Sequence, residues 1–170
     1  MRIMAVDYGD VRTGLAVSDE TATLAGEAWV IKEKNEKEAA RTIAAQAVSR
    51  GVSCIVVGYP KNMNGTIGPR GEKSERLAEL LRTRFNTAAN VDRPSQGAAA
   101  DADRPSRDAA ADADKPSGIN VVLWDERLTT ISANRILTET GKRGQKRKKA
   151  VDAIAASLIL ESYLNSRLNA

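Results

Sequence analysis

Three short apolar runs lie close together in the first part of the chain. Residues 3–6 and 13–17 are separated by six mostly polar residues, and residues 28–31 form a third run. Apolar runs of this length, bounded by polar residues and Gly, are typical of β-strands, and the short connection between the first two predicts a hairpin. We therefore expect these three strands to form an antiparallel meander.

The pattern then changes to helices that alternate with strands. Asn35 has the form of a helix N-cap, and apolar residues follow at helical spacing until Gly51. The remaining predicted elements are a strand at 54–57, a helix at about 72–85, a strand at 121–124, and helices near 131–140 and 150–164.

This order of elements predicts an α/β fold. Strands that alternate with helices favour right-handed crossovers between parallel strands. A three-stranded antiparallel meander continued by parallel strands is the plan of ribonuclease H-like folds. We therefore predict a ribonuclease H-like fold with a five-stranded mixed sheet flanked by helices.

A tandem repeat interrupts this pattern at residues 92–117. The tetrapeptide that starts at Asp92 recurs, with one Arg replaced by Lys, at Asp103 and Asp114, a spacing of 11 residues. Its Ala and Asp residues bury too little to offset the entropy of ordering, and its prolines prevent a continuous helix. We predict one domain over residues 1–170 with a low-complexity, disordered insert at about 88–118; a helical hairpin is the alternative.

Composition excludes several kinds of chemistry. The chain has 170 residues, no His, one Cys and a net charge of +4. There can be no His general base, no Ser-His-Asp triad and no intrachain disulfide. No apolar stretch is long enough to span a bilayer, so we expect a cytoplasmic protein without membrane association. The insert is net acidic, so the remainder is more basic than the whole chain.

Acidic residues stand at three positions that this topology would bring to one end of the sheet. Asp7 ends the first strand, Asp125 and Glu126 follow the last strand, and Asp152 lies in the first turn of the last helix. Clustered carboxylates repel one another unless a cation neutralises them, and oxygen ligands favour Mg²⁺ or Mn²⁺. With no His present, phosphodiester hydrolysis would depend on such an ion.

Each acid also has a purely structural interpretation. Asp7 beside Gly9 fits a turn, and Asp125 fits a turn before a helix. Asp152 would suit the dipole at a helix N-terminus. The adjacent pair of Asp125 and Glu126 cannot point to one face if the strand continues, and either member fits the role of ligand.

Basic residues surround these acids. Residues 142–149 carry six cations in eight positions, and a long loop at 58–70 carries cations, amides and glycines. Such segments suit contacts with phosphates, whereas an aromatic content of 4% leaves no platform for stacking bases. The predicted nucleic-acid-binding residues are Arg12, Lys61, Asn62, Arg70, Arg127, Lys142, Arg143, Lys146, Arg147, Lys148 and Lys149.

Four segments together resemble the successive motifs of the YqgF family, also called RuvX or Holliday-junction-resolvase-like proteins. They are VDYGDVRTGLA at 6–16, VGYPKNMNG at 57–65, DERLTT at 125–130 and KAVDAIAA at 149–156. The resemblance implies a nuclease that depends on Mg²⁺ or Mn²⁺ and matures the 5′ end of precursor 16S rRNA. It implies Asp7, Asp125, Glu126 and Asp152 as catalytic residues, and our predicted metal ligands are Asp7, Glu126 and Asp152.

The chain differs in one respect from the related RuvC-type resolvases, which carry a carboxylate at the end of the fourth strand. This chain has Gly58, Tyr59 and Pro60 there, so the second acid must come from elsewhere and the number of metal ions stays open. The repeat tract is not part of the family pattern either.

Several alternatives remain for the function. One is resolution of four-way DNA junctions, and another is a non-catalytic, ribosome-associated RNA-binding protein. A third, an ATPase of the actin-like or sugar-kinase type, would need two such domains to enclose a nucleotide. The expected partners are structured RNA or branched DNA, with ribosomal precursor particles and a second copy of the chain as further candidates.

Overall fold

The computed structural model describes residues 1–33, 35–61, 65–85, 118–125 and 145–168, with side chains of the last segment described from residue 150. The predicted helix at 131–140, the predicted insert up to residue 117 and Glu126 lie outside these ranges. None of the helices in the described ranges is long and apolar enough to cross a bilayer.

Five strands and three helices make up the described fold. The strands are β1 (Arg2–Tyr8), β2 (Thr13–Ser18), β3 (Ala25–Ile31), β4 (Val52–Tyr59) and β5 (Asn120–Asp125). The helices are α1 (Glu36–Ser49), α2 (Pro69–Phe85) and α3 (Gln145–Leu168).

The sheet has the strand order β3-β2-β1-β4-β5. β1 pairs antiparallel with β2, and β2 pairs antiparallel with β3, which makes the predicted meander. β4 pairs parallel with both β1 and β5. The predicted ribonuclease H-like arrangement of a meander continued by parallel strands is confirmed.

Three element boundaries differ clearly from the prediction. α3 begins at Gln145 rather than near residue 150, so Asp152 is the eighth residue of the helix and the prediction that it lies in the first turn is wrong. β3 begins at Ala25 rather than near residue 28, because it is an edge strand whose first residues are largely exposed and carry no apolar signal. α2 begins at Pro69 rather than near residue 72. Proline suits the first position of a helix, since its missing N–H has no partner there in any case. The predicted N-cap is confirmed, because Asn35 accepts a hydrogen bond from the Lys37 backbone N–H at 2.8 Å.

The sheet buries a different apolar layer on each face. Along β1, Met4 and Val6 join the layer under α1 and α2, whereas Ile3 and Ala5 join the layer under α3. This alternation follows from the two-residue period of a strand. The α3 layer contains several small side chains on the sheet, so α3 can approach the strands closely.

Arg82 links α2 to β5 at one side of the sheet. Its side chain is buried, and its Nε and Nη2 donate to the backbone carbonyl of Val121 at 3.3 and 3.2 Å. A buried guanidinium satisfied in this way helps to hold the last strand of the described sheet against α2.

Candidate functional site

Asp7 lies near the C-terminal end of β1, on the face of the sheet that α3 covers. Its direction follows from alternation with Ile3 and Ala5, which belong to the α3 layer. In the antiparallel ladder Asp7 stands opposite Gly14 of β2. The sheet therefore presents a carboxylate beside a residue without a side chain.

The space above Gly14 is filled by the backbone of α3. A Cβ atom added to Gly14 would lie 1.9 Å from the carbonyl oxygen of Asp152 and 2.6 Å from its carbonyl carbon. Only glycine permits this contact. Because Gly14 faces Asp7 across the ladder, the same contact brings the first part of α3 to the end of β1.

The charge of Asp152 acts on Asp7. The pKa of Asp7 is raised from 3.8 to about 6, mainly by burial and next by the negative charge of Asp152, while the positive charge of Arg70 opposes the rise. Two carboxylates and one guanidinium are thus close enough to influence one another at this end of the sheet. Such a site favours either a proton or a cation between the acids.

Arg12 contacts the second of these acids directly. Its Nε donates to Oδ2 of Asp152 at 2.6 Å, and the two side chains are 30% and 22% exposed. Arg12 lies in the turn between β1 and β2, where a Cβ on Gly9 would fall 2.7 Å from the Arg12 carbonyl oxygen. Glycine is therefore needed at position 9 for this close backbone contact. A positive φ is not the reason, because Gly9 does not have one.

Asp125 lies on the opposite face of the sheet. It pairs with Tyr59 in the parallel ladder, and the Tyr59 hydroxyl donates to Glu75 of α2. Nζ of Lys61 is 3.8 Å from Oδ2 of Asp125 and 5.2 Å from the centre of the Tyr59 ring. Burial, followed by the hydrogen bond to Glu75, raises the pKa of Tyr59. Asp125 and Lys61 thus belong to a polar cluster beside α2.

The predicted site residues therefore fall into three groups. Asp7, Arg12 and Asp152 come together, with Arg70 close enough to affect Asp7. Asp125 and Lys61 lie in the cluster beside α2. The predicted residues outside the described side chains are Glu126, Asn62, Arg127, Lys142, Arg143, Lys146, Arg147, Lys148 and Lys149.

Within the described ranges, no three acidic, Cys or His side chains gather to hold a metal ion. Asp7 and Asp152 are the two predicted ligands that the structure describes, and the third, Glu126, stays a prediction. Two carboxylates close enough to influence each other electrostatically do fit a hard divalent cation, which prefers oxygen ligands.

Sequence reasoning missed two relationships at this site. The contact between Gly14 and the α3 backbone and the ion pair of Arg12 with Asp152 both join residues about 140 positions apart. Arg12 was predicted to bind nucleic acid, and its partner Asp152 was not foreseen. The spacing of the acid, the arginine and the two glycines at 7–14 indicates a functional segment. It does not indicate which distant residue Arg12 would pair with.

Comparison with known proteins identifies relatives over nearly the whole chain. A family model described as "RuvX: Holliday junction resolvase" matches residues 1–93 and 91–166. A protein of Thermoanaerobacter pseudethanolicus named "Putative pre-16S rRNA nuclease" is 36% identical over 170 residues, which cover 99% of each chain. One of the same name from Caldanaerobacter subterraneus subsp. tengcongensis is 38% identical over 175 residues, again 99% of each chain.

A solved structure supports the fold. The Fowlpox virus resolvase, crystallised with substrate Holliday junction DNA, superposes with a TM-score of 0.52 at 16% sequence identity, covering 99% of each chain. At this identity the similarity extends to the fold alone, and it agrees with the ribonuclease H-like topology described above.

Proposed function

The chain belongs to the RuvX family, and from this premise we propose that it is a metal-dependent nuclease that hydrolyses phosphodiester bonds near the 5′ end of precursor 16S rRNA. The observation that carries the proposal is the pairing of Asp7 and Asp152 at one end of the sheet, where burial and, after it, the charge of Asp152 together raise the pKa of Asp7 to about 6. Acids whose pKa is shifted by burial together with a specific neighbouring charge are enriched at functional sites.

Asp7 and Asp152 would hold a Mg²⁺ or Mn²⁺ ion, with Glu126 as the proposed third ligand. When bound, such an ion supplies an activated water and stabilises the charge on the leaving oxygen. Asp7 contributes a carboxylate on a well-held backbone, because Asp7 pairs with Gly14 of β2 and the preceding Val6 pairs with Val57 of β4. Asp152 contributes a carboxylate whose position depends on how closely the backbone of α3 packs against Gly14.

Basic side chains would bind the substrate through its phosphates. The positive charge of Arg70 lowers the pKa of Asp7, so the two side chains are close. A phosphate near this carboxylate would therefore also lie near a guanidinium. The basic segment at 142–149 ends three residues before Asp152 in the chain. Contacts of this kind position a nucleic acid without reading its sequence. Substrate choice would therefore follow the shape of the RNA.

The substrate class rests on the relatives. Those quoted above carry the name of a pre-16S rRNA nuclease at 36% and 38% identity. We accordingly propose the cytoplasm as the place of action and ribosomal precursor particles as partners. Resolution of four-way DNA junctions is the second candidate, and the description of the family model favours it.

The experiment compares cleavage of two labelled substrates, a precursor 16S rRNA fragment and a four-way DNA junction, in Mg²⁺, in Mn²⁺ and in EDTA. Wild-type protein should cleave the RNA only with a divalent ion, and Asp7→Asn and Asp152→Asn should abolish cleavage. The matched control is Asp10→Asn, since Asp10 lies three residues from Asp7 but is exposed and pairs with Lys73. That variant should cleave normally.

The other outcomes separate the alternatives. Cleavage of the junction without cleavage of the RNA would favour the resolvase. Binding of the RNA without cleavage under every condition would favour a non-catalytic RNA-binding protein. Cleavage that survives Asp7→Asn would exclude this end of the sheet as the active site.

A further inference from the structure

Arg12 supplies the positive charge nearest to Asp152 among the described side chains. Two carboxylates that share a low-dielectric region repel each other, and a cation beside one of them relieves this repulsion. The guanidinium performs this task through a hydrogen bond of 2.6 Å to Oδ2 of Asp152. The oxygen that Arg12 holds is therefore on one of the two acids proposed to bind the metal ion.

We propose that Arg12 is an exchangeable counter-ion of this site. It neutralises Asp152 when the site is free of metal, and it leaves Asp152 for a phosphate of the nucleic acid when a divalent ion binds. This inference rests on the proposed function, because it assumes that Asp7 and Asp152 are the metal ligands.

The surroundings of Arg12 permit the exchange. Its backbone is fixed in a tight turn, where the Arg12 carbonyl oxygen lies against Gly9. Its side chain is 30% exposed and that of Asp152 is 22% exposed. The guanidinium can therefore leave Asp152 by a rotation of its side chain, with no change in β1, β2 or α3.

The electrostatics favour the exchange. A guanidinium is always charged in proteins, so it cannot avoid a neighbouring divalent ion by losing a proton. A metal ion bound by Asp152 would repel the guanidinium beside it, and both cations would compete for the charge of one carboxylate. A released guanidinium has the planar array of donors that suits phosphate oxygens. Binding of metal and binding of nucleic acid are then coupled through Arg12, and thermodynamic linkage makes this coupling reciprocal.

The first measurement is the affinity for Mn²⁺ alone, from the free-ion signal in electron paramagnetic resonance. Arg12→Gln should bind Mn²⁺ roughly three- to tenfold more tightly than wild type, the range expected for loss of one competing, partly exposed ion pair. Arg12→Lys keeps the charge and should stay close to wild type. The matched control is Arg2→Gln, which removes the ion pair of Arg2 with Glu20 at the other end of β1. This variant should bind Mn²⁺ with the affinity of the wild type.

The second measurement is the affinity for a phosphorothioate RNA that resists cleavage, by fluorescence anisotropy with Mn²⁺ and with EDTA. In wild type, Mn²⁺ should raise the RNA affinity by about tenfold, within the usual range of allosteric coupling. In Arg12→Gln this gain should disappear, and Arg12→Lys should restore part of it. A merely structural role of Arg12 would shift the RNA affinity equally with and without Mn²⁺.

The outcomes distinguish this inference from the proposed function. Equal Mn²⁺ affinity of wild type and Arg12→Gln, or a gain in RNA affinity that persists in Arg12→Gln, would overturn the exchange and leave the metal site intact. If wild type binds Mn²⁺ no better than Asp7→Asn does, the proposed metal site fails and the exchange fails with it. Arg12→Met, which keeps the apolar stem, replaces Arg12→Gln if thermal unfolding shows that the latter does not fold.

Discussion

Gly14 of β2 and Asp152 of α3 touch through their backbones, and no side chain fits between them. A Cβ on Gly14 would lie 1.9 Å from the Asp152 carbonyl oxygen, far inside van der Waals contact. Since that oxygen belongs to the backbone of a helix, it cannot turn aside as a flexible side chain could. This contact sets the distance of α3 from the sheet at the proposed active site.

We therefore expect Gly14→Ala to displace α3 near Asp152 and to lower the free energy of unfolding by about 3 kcal/mol, in the upper range for overpacking. The control is Gly51→Ala. Gly51 has a positive φ but nothing within 4 Å of its Cβ position, so the cost there is the backbone strain of about 1 kcal/mol. Urea denaturation of both variants tests this prediction, and equal losses would contradict it.

Asp7→Asn should stabilise the metal-free protein at neutral pH. The pKa of Asp7 is raised from 3.8 to about 6 in the folded state. The folded state therefore binds the proton more tightly, and stability falls as the pH rises from about 4 to 6. Above that window the ionised carboxylate costs up to about 3 kcal/mol, which the Asn variant avoids.

The measurement is urea denaturation in EDTA at several pH values. Asp7→Asn and wild type should be equally stable below about pH 4 and should diverge as the pH rises to 7. Asp152→Asn loses the Arg12 ion pair and should not be stabilised. A difference between Asp7→Asn and wild type that does not vary with pH would contradict the electrostatic explanation.

Arg82→Met should destabilise the sheet at β5. The substitution keeps an apolar stem but removes both hydrogen bonds to the Val121 carbonyl. Loss of a buried charged donor predicts a decrease of about 1–3 kcal/mol in the free energy of unfolding. Arg84→Met, at an exposed position of the same helix, should change it by less than about 0.5 kcal/mol. Similar effects of the two variants would show that the hydrogen bonds contribute little.

Binding of nucleic acid should depend steeply on salt. Replacing Lys146, Arg147 and Lys149 together by Ala should lower the slope of log K against log salt by roughly two to three units if all three contact phosphates. Discrimination between sequences should hardly change. Anisotropy titrations over a range of salt concentrations measure the slope.

The matched control for this triple variant removes the same charge elsewhere, at the exposed residues Lys32, Lys37 and Arg84. It should leave the slope unchanged. If the first triple variant also leaves it unchanged, the segment at 142–149 is not part of the binding surface.

Deletion of the repeat tract at 92–117 should leave both the melting temperature and metal-dependent cleavage unchanged. Its Ala-, Asp- and Pro-rich composition offers little apolar surface to bury. Calorimetry and the cleavage assay test the deletion. A drop of several degrees would show that the repeats pack on the domain.

The amino-acid sequence determined the elements whose signals are local. The apolar runs of β1, β2, β4 and β5 are continuous, and Asn35 carries its own capping side chain. β3 was only partly predicted, since an exposed edge strand needs few apolar residues at its start. The order of these elements was enough to predict the topology, because short connections and right-handed crossovers leave few arrangements.

Only the tertiary structure decided which of these residues meet. Alternation along a strand fixes which side chains share a face, but it does not say which helix covers that face. For this reason the sequence predicts only that Asp7, Asp125 and Asp152 lie at one end of the sheet. In the fold, Asp7 lies on the face that α3 covers, whereas Asp125 lies on the other face, beside α2. The pairing of Arg12 with Asp152 depends on how closely α3 approaches β2, which is a property of packing between distant segments and has no local signal in the chain.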